Sequence, residues 1–94
     1  MKPTPRKLIH EVWEDREDGG QWLSSICLAG PRGADFRASQ SKNARLIARI
    51  EAVSHFEAMK EYHRLIAREP YTTDQEWDRQ PYPADWFDEQ VSAR

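Results

Sequence analysis

A short motif in the middle of the chain marks a boundary between two kinds of backbone. Ser54 and Glu57 form the pattern S-x-x-E, in which the serine hydroxyl accepts from the Glu57 amide and the glutamate carboxylate reaches back to the Ser54 amide. Pro70 lacks an amide hydrogen and disfavours the α conformation at the residue before it. The motif and the proline together predict a helix over residues 54–69.

The predicted helix has one apolar face and one charged face. At about 100° per residue, its apolar side chains form one continuous arc. His55 lies in this arc and in the first turn, where unsatisfied amides disfavour a positive charge, so we expect a neutral imidazole. The arc contains Leu65, Ala58, Tyr62, His55, Ile66, Met59 and Phe56.

A longer helix that begins at Ala44 is an alternative for the same region. Its apolar stripe would advance mostly in steps of three residues and drift around the helix instead of keeping one face. Read as a strand, residues 44–53 alternate regularly and stop where the helix cap begins. We therefore predict a strand followed by the helix.

Two further strands are predicted around an Asp-Gly turn. Residues 8–14 and 22–28 flank Asp18 and Gly19, a residue pair that type I′ hairpin turns favour. The three strands and the helix predict an α+β fold: a three-stranded, mainly antiparallel sheet with one principal helix packed on one face. An irregular aromatic C-terminal tail, with a short helix near residues 85–91, would complete it.

The turn also predicts which side chains of the hairpin face the core. With Asp18 and Gly19 at its centre, Ile9 lies opposite Leu28 and Trp13 opposite Ser24. A slip of one residue would reverse every side chain. The predicted core face carries Ile9, Trp13, Trp22, Ile26 and Leu28, and the other face carries His10, Ser25 and Cys27.

Length and composition restrict the class of protein. Ninety-four residues suit one domain, with residues 1–7 and 90–94 frayed, and the 38% of apolar residues predicts a small core that a homodimer would support. Cys27 is the sole cysteine, which excludes an intramolecular disulfide and any multi-cysteine metal site. With neither a signal peptide nor a transmembrane span predicted, we expect a cytoplasmic protein without membrane contact, metal or cofactor.

Three short segments resemble those of a known group of proteins. The patterns are A-x-S-H-F-E-A-M-x-x-Y from Ala52, Y-T-T-D from Tyr71 and Y-P-x-x-W from Tyr82. With them the chain resembles a group of small uncharacterised bacterial proteins over most of its length. The resemblance implies a compact bacterial domain and carries over no activity, cofactor or functional residue.

His55 is the main candidate for a functional residue. It lies near Glu51 and Glu57 and shares a helix face with Tyr62, and Trp13 is one of several aromatic side chains available to line a pocket. The candidate ligand-binding residues are therefore His55, Tyr62, Glu51 and Trp13. The alternative is a packed core histidine that hydrogen-bonds a backbone carbonyl or the Tyr62 hydroxyl.

The charged face of the helix is the candidate partner surface. Lys60, Arg64 and Arg68 recur at intervals of four residues, but Glu57 and Glu61 interrupt the stripe. A net charge of −2 also argues against nucleic-acid binding. We expect an interaction or regulatory module that binds a protein partner or itself. The alternative function is a small-ligand-binding protein or small enzyme with a pocket around His55.

Overall fold

A computed structural model of the chain describes residues 6–16 and 20–92. The sheet has the strand order β2-β1-β3, and both pairings are antiparallel, so the predicted α+β fold class is confirmed. The 3₁₀ turns Pro31–Gly33 and Glu76–Arg79 lie before α1 and α3. The regular elements are β1 (Leu8–Asp15), β2 (Leu23–Leu28), α1 (Ala34–Ser39), β3 (Arg45–Ala52), α2 (His55–Leu65) and α3 (Ala84–Ser92).

Helix α2 covers one face of the sheet and forms a small core with it. Side chains alternate between the two faces of a strand. The even-numbered residues of β1, and the even-numbered residues in the C-terminal half of β3, therefore face the helix. None of the described helices is both long and apolar enough to cross a bilayer. The buried apolar residues are Leu8, Val12, Ile50, Ala52, Ala58 and Tyr62.

The predicted boundary at Ser54 is present. Ser54 has extended backbone angles, and its Oγ accepts a hydrogen bond from the Glu57 amide at 3.2 Å. The Glu57 carboxylate differs from the prediction, because it accepts from the Val53 amide at 3.2 Å instead of the Ser54 amide. The cap separates β3 from α2, and the alternative of one long helix from Ala44 is therefore wrong.

Helix α2 ends before the predicted limit at residue 69. Its last helical residue is Leu65, and Ala67 has a left-handed backbone with φ 58°. The Ala67 amide donates to Arg64 O at 3.3 Å, and the Arg68 amide donates to His63 O at 2.9 Å. This pair of bonds is a Schellman motif. The left-handed residue, and not Pro70, ends the helix.

The predicted register of the β1–β2 hairpin is wrong by one residue. His10 lies opposite Leu28 and Val12 opposite Ile26, so His10 faces the core and Ile9 and Trp13 face away from it. The predicted register would place the Glu11 carboxylate beneath α2, where its burial would carry a large desolvation cost. The predicted Asp-Gly turn lies at residues 18–19, outside the described part of the chain.

Gln90 of α3 joins the helix to the sheet. Its Oε1 accepts from the Ile9 amide at 2.8 Å, and its Nε2 donates to Ile9 O at 2.9 Å and to Ala29 O at 3.0 Å. The side-chain amide thus bridges β1 and the residue that follows β2. Gln90 lies in the segment predicted to be frayed, residues 90–94, and is 6% exposed.

Candidate functional site

Two adjoining hollows lie at the start of α2. The first has a volume of about 190 Å³ and lies between the edge strand β2, the first turns of α2 and Tyr82. The second, of about 240 Å³, lies between His55 and the segment from Trp77 to Pro83. His55 and Tyr82 line both hollows. The first is also lined by His10, Ile26, Cys27, Leu28, Ala58 and Met59.

A hydrogen-bonded chain connects the sheet to the wall of the first hollow. His10 is 3% exposed; its Nδ1 lies 3.2 Å from Ile50 O and its Nε2 lies 2.7 Å from the Tyr82 hydroxyl. A carbonyl oxygen only accepts, so Nδ1 carries the proton and Nε2 accepts from the Tyr82 hydroxyl. Burial lowers the pKa of His10 below its ordinary value of 6.5, which agrees with a neutral ring.

Asp78 is the most unusual group at the site. Its side chain is buried, and its Oδ2 accepts from the Tyr71 hydroxyl at 2.8 Å. Its Oδ1 has no hydrogen-bond partner among the described residues and lies 3.6 Å from His55 Nε2. Burial raises the pKa of Tyr82, and the negative charge of Asp78 contributes to the shift. Asp78 is therefore a buried carboxylate with an unsatisfied oxygen that lies behind His55 and lines neither hollow.

Aromatic rings surround the His55 side chain, which is 44% exposed. The Trp77 ring stacks against it with centroids 6.3 Å apart, and the Tyr71 ring meets it edge-on at 6.2 Å. Trp77 is itself 66% exposed. The second hollow thus presents π-faces to a ligand.

Cys27 is not an activated nucleophile. Its Sγ lies 3.8 Å from Glu11 Oε1, and burial and that carboxylate raise the pKa of the thiol. A raised pKa keeps the sulfur in the unreactive thiol form at neutral pH. Within residues 6–16 and 20–92, no cluster of three or more histidine, cysteine or acidic side chains could hold a metal ion.

Only one of the predicted ligand-binding residues lies at the hollows. Tyr62 is buried farther along α2, where its hydroxyl donates to Ser24 Oγ at 2.9 Å. Glu51 and Trp13 point to the sheet face opposite α2, and the Trp13 indole donates to Glu11 at 3.3 Å. The structure therefore does not assemble His55, Tyr62, Glu51 and Trp13 into one site.

The predicted partner surface is divided. Lys60 lines a groove of about 370 Å³ between α2 and β3, together with Lys7 and Arg49. Arg64 is held by Glu61, one turn earlier, through Nε at 3.0 Å. Arg68 is exposed beyond the end of the helix. Partner binding by these three residues remains a prediction.

Three residues at or next to the site were not predicted from the sequence: His10, Asp78 and Tyr82. His10 alternates with Leu8 and Val12, which is the one local signal that it faces the core. Asp78 and Tyr82 reach the site only through the path of the chain after α2. The Tyr82 amide donates to Val53 O at 2.8 Å and anchors that path.

Comparisons of this chain with protein-family models, with curated proteins and with solved structures find no match. The resemblance to a group of small bacterial proteins therefore remains a prediction.

Proposed function

We propose that the protein binds a small organic amine at the hollows beside His55 and Tyr82. The observation that carries this proposal is Asp78, a carboxylate that is 1% exposed and has one oxygen without a hydrogen-bond partner among the described residues. Burying such an oxygen unpaired is costly. Asp78 lines neither hollow, but His55, which lines both, lies 3.6 Å from its free oxygen, so a cation bound beside His55 would offset part of that cost.

The hydrogen-bonding character of the first hollow favours the same class of ligand. The Tyr82 hydroxyl uses its only proton on His10 Nε2, which leaves lone pairs on its oxygen. Acceptors are complemented by donors, and an ammonium group is a donor without acceptors.

The size of the two hollows and the aromatic rings beside them also favour a small amine. Volumes of about 190 and 240 Å³ lie below the 300–1,000 Å³ of sites for drug-sized ligands, so the ligand should be small. Trp77 and Tyr82 offer faces that attract a cation by roughly 0.5–2 kcal/mol each. An aryl or alkyl amine suits both features.

Titration with benzylamine, followed by NMR of the histidine and indole protons, tests the proposal. We expect saturable shifts at His55 and Trp77, and smaller ones with benzyl alcohol, which lacks the charge. Asp78→Asn keeps the shape and removes the charge, and should weaken binding about tenfold or more. Asp88→Asn changes an exposed carboxylate on α3 and should leave the affinity unchanged. Equal binding of benzylamine and benzyl alcohol, or no effect of Asp78→Asn, would contradict amine recognition.

An enzyme that uses His55 as a base is the less favoured alternative. Asp78 next to His55 resembles the base and orienting carboxylate of many catalytic sites. Cys27 lines the first hollow, but its thiol has a raised pKa and contacts Glu11 on the sheet face away from α2 instead of His55. The described residues therefore favour binding over nucleophilic catalysis.

A further inference from the structure

Strand β2 forms one edge of the sheet, and its backbone bonding alternates along it. The Ala29 amide donates to Ile9 O of β1 at 3.0 Å, and Leu28 O accepts from Arg37 Nη1 at 3.1 Å, away from β1. In an antiparallel pair, residues alternate between bonding the neighbouring strand and pointing away from it. Ser25 and Cys27 therefore bond β1, while Ser24, Ile26 and Leu28 point outward.

Within residues 6–16 and 20–92, this edge is covered at its C-terminal end. Arg37 occupies Leu28 O, and the Gly33 backbone lies so close to the same oxygen that a side chain there would collide with it. The outward amides and carbonyls of Ser24 and Ile26 have no such cover among the described residues. A free window remains over residues 23–27.

The window lacks the features that normally protect an edge strand. Natural sheets use charged side chains, prolines and bulges to stop edge-to-edge pairing. Residues 21–30 contain no charged residue and no proline, and the β1–β2 register runs without a bulge. Leu23 is 68% exposed within the window. This edge is therefore competent to accept another strand.

We infer that the window pairs with the same window of a second copy of this chain, antiparallel about Ser25. The free segment is symmetric about that residue: it begins at Leu23, the first residue of β2, and stops before Leu28, which Arg37 caps. In this register Ser24 lies opposite Ile26 of the second copy, so every free outward amide and carbonyl of the window is paired.

Side-chain chemistry also suits a second copy as the occupant. Identical strands would oppose identical charges at or near the axis, and this segment carries none. Ser25 meets its own equivalent, and the exposed Leu23 lies opposite Cys27 of the second copy. The inference goes beyond amine binding and does not depend on it.

Solution mass tests the pairing. Sedimentation of the wild-type chain over a wide concentration range should give twice 11.0 kDa at the upper end. Ser25→Lys opposes two ammonium groups at the axis and should raise the dimer dissociation constant about tenfold or more. Ile47→Lys places the same charge on the exposed part of the β3 edge and should leave it unchanged. Circular dichroism checks that both variants fold.

A covalent trap tests the register separately. Opposed residues that do not hydrogen-bond each other lie about 4.5 Å apart at Cα, within the range that a disulfide spans. Leu23→Cys, with Cys27 retained, should therefore form a disulfide-linked dimer when air oxidises the two thiols and dioxygen is reduced. Leu23→Cys combined with Cys27→Ser should not. A wild-type chain that stays monomeric at every concentration overturns the inference, as does a dimer disrupted by Ile47→Lys and not by Ser25→Lys.

Discussion

The two edges of the sheet are protected to different degrees. The register of β3 with β1 shifts between Val12 and Trp13, which leaves Ile47 without a partner on β1 and forms a bulge. Arg45, Arg49 and Glu51 add charge to that edge. Bulges and charges are the usual means of preventing strand addition. Strand β2 has neither, and among the described residues only Arg37 and Gly33 at its C-terminal end shield it.

This difference separates two ways in which the chain can meet other molecules. The β3 edge borders a groove of mixed charge next to α2, with Lys60 and Glu57 on its wall. Such a surface suits side-chain contacts. The β2 edge offers backbone groups, which suit another strand. The contrast therefore predicts self-association at β2 and not at β3.

The largest change in stability is expected from displacing the backbone at Gly33 that covers the C-terminal end of β2. Gly33→Ala places a methyl group against Leu28 O and should lower the free energy of unfolding by about 3 kcal/mol, because backbone must move to admit it. Urea denaturation measures this change. Gly20→Ala alters an exposed glycine and serves as the control. If Gly33→Ala unfolds like the wild-type protein, Gly33 does not help to close the β2 edge.

A smaller loss is expected at the bridge formed by Gln90. Gln90→Glu keeps the acceptor for the Ile9 amide but removes the donor to Ile9 O and Ala29 O, and it buries a charge. We expect a loss of about 2 kcal/mol in the free energy of unfolding. The exposed Gln80→Glu should change stability far less. Equal effects of the two substitutions would mean that α3 does not tie β1 to the end of β2.

The smallest effect is expected from pH, through His10 on the strand between the two edges. Burial lowers the pKa of His10 in the folded protein, so below pH 6.5 the unfolded chain holds more protons on this residue. Stability should therefore fall as pH falls through 6.5 and should not depend on His10 above it. The slope cannot exceed about 1.4 kcal/mol per pH unit for one proton.

Denaturant titrations at several pH values measure this slope, with His10→Gln and His63→Gln as the pair of variants. The slope of stability against pH below 6.5 should be smaller in His10→Gln than in the wild-type protein. His63→Gln changes a less buried imidazole and is the matched control. If the dependence of stability on pH is unchanged in His10→Gln, the titrating group does not lie on β1, the strand between the two edge strands.

Local signals predicted the second half of the sheet and its helix well. Ser54 and Glu57 form a cap whose bonds lie within a few residues, so the boundary between β3 and α2 could be read directly. The hairpin register could not. Both faces of β1 carry apolar residues, so the apolar pattern does not select the core face. The assumed two-residue turn selected the wrong face, because the pairing of β1 with β2 begins only at Asp15 and Leu23.

The candidate site was predictable only at His55. Asp78 lies in a segment without strong periodicity, and it meets His55 because the chain after α2 turns back to Val53. Tyr82 meets His10, which is separated from it by 72 positions, through the same return. Contacts of that range depend on the whole fold and leave no local pattern in the sequence.

The position of Gln90 has a consequence for the order of biosynthesis. Its amide completes the hydrogen bonding of Ile9, a residue that precedes it by 81 positions. The ribosome must therefore translate past α3 before the Ile9 amide can exchange its hydrogen bond with water for the bond to Gln90. Until then Ile9 and Ala29 are joined by the bond from the Ala29 amide, and a side chain of the last helix supplies the remaining bonds.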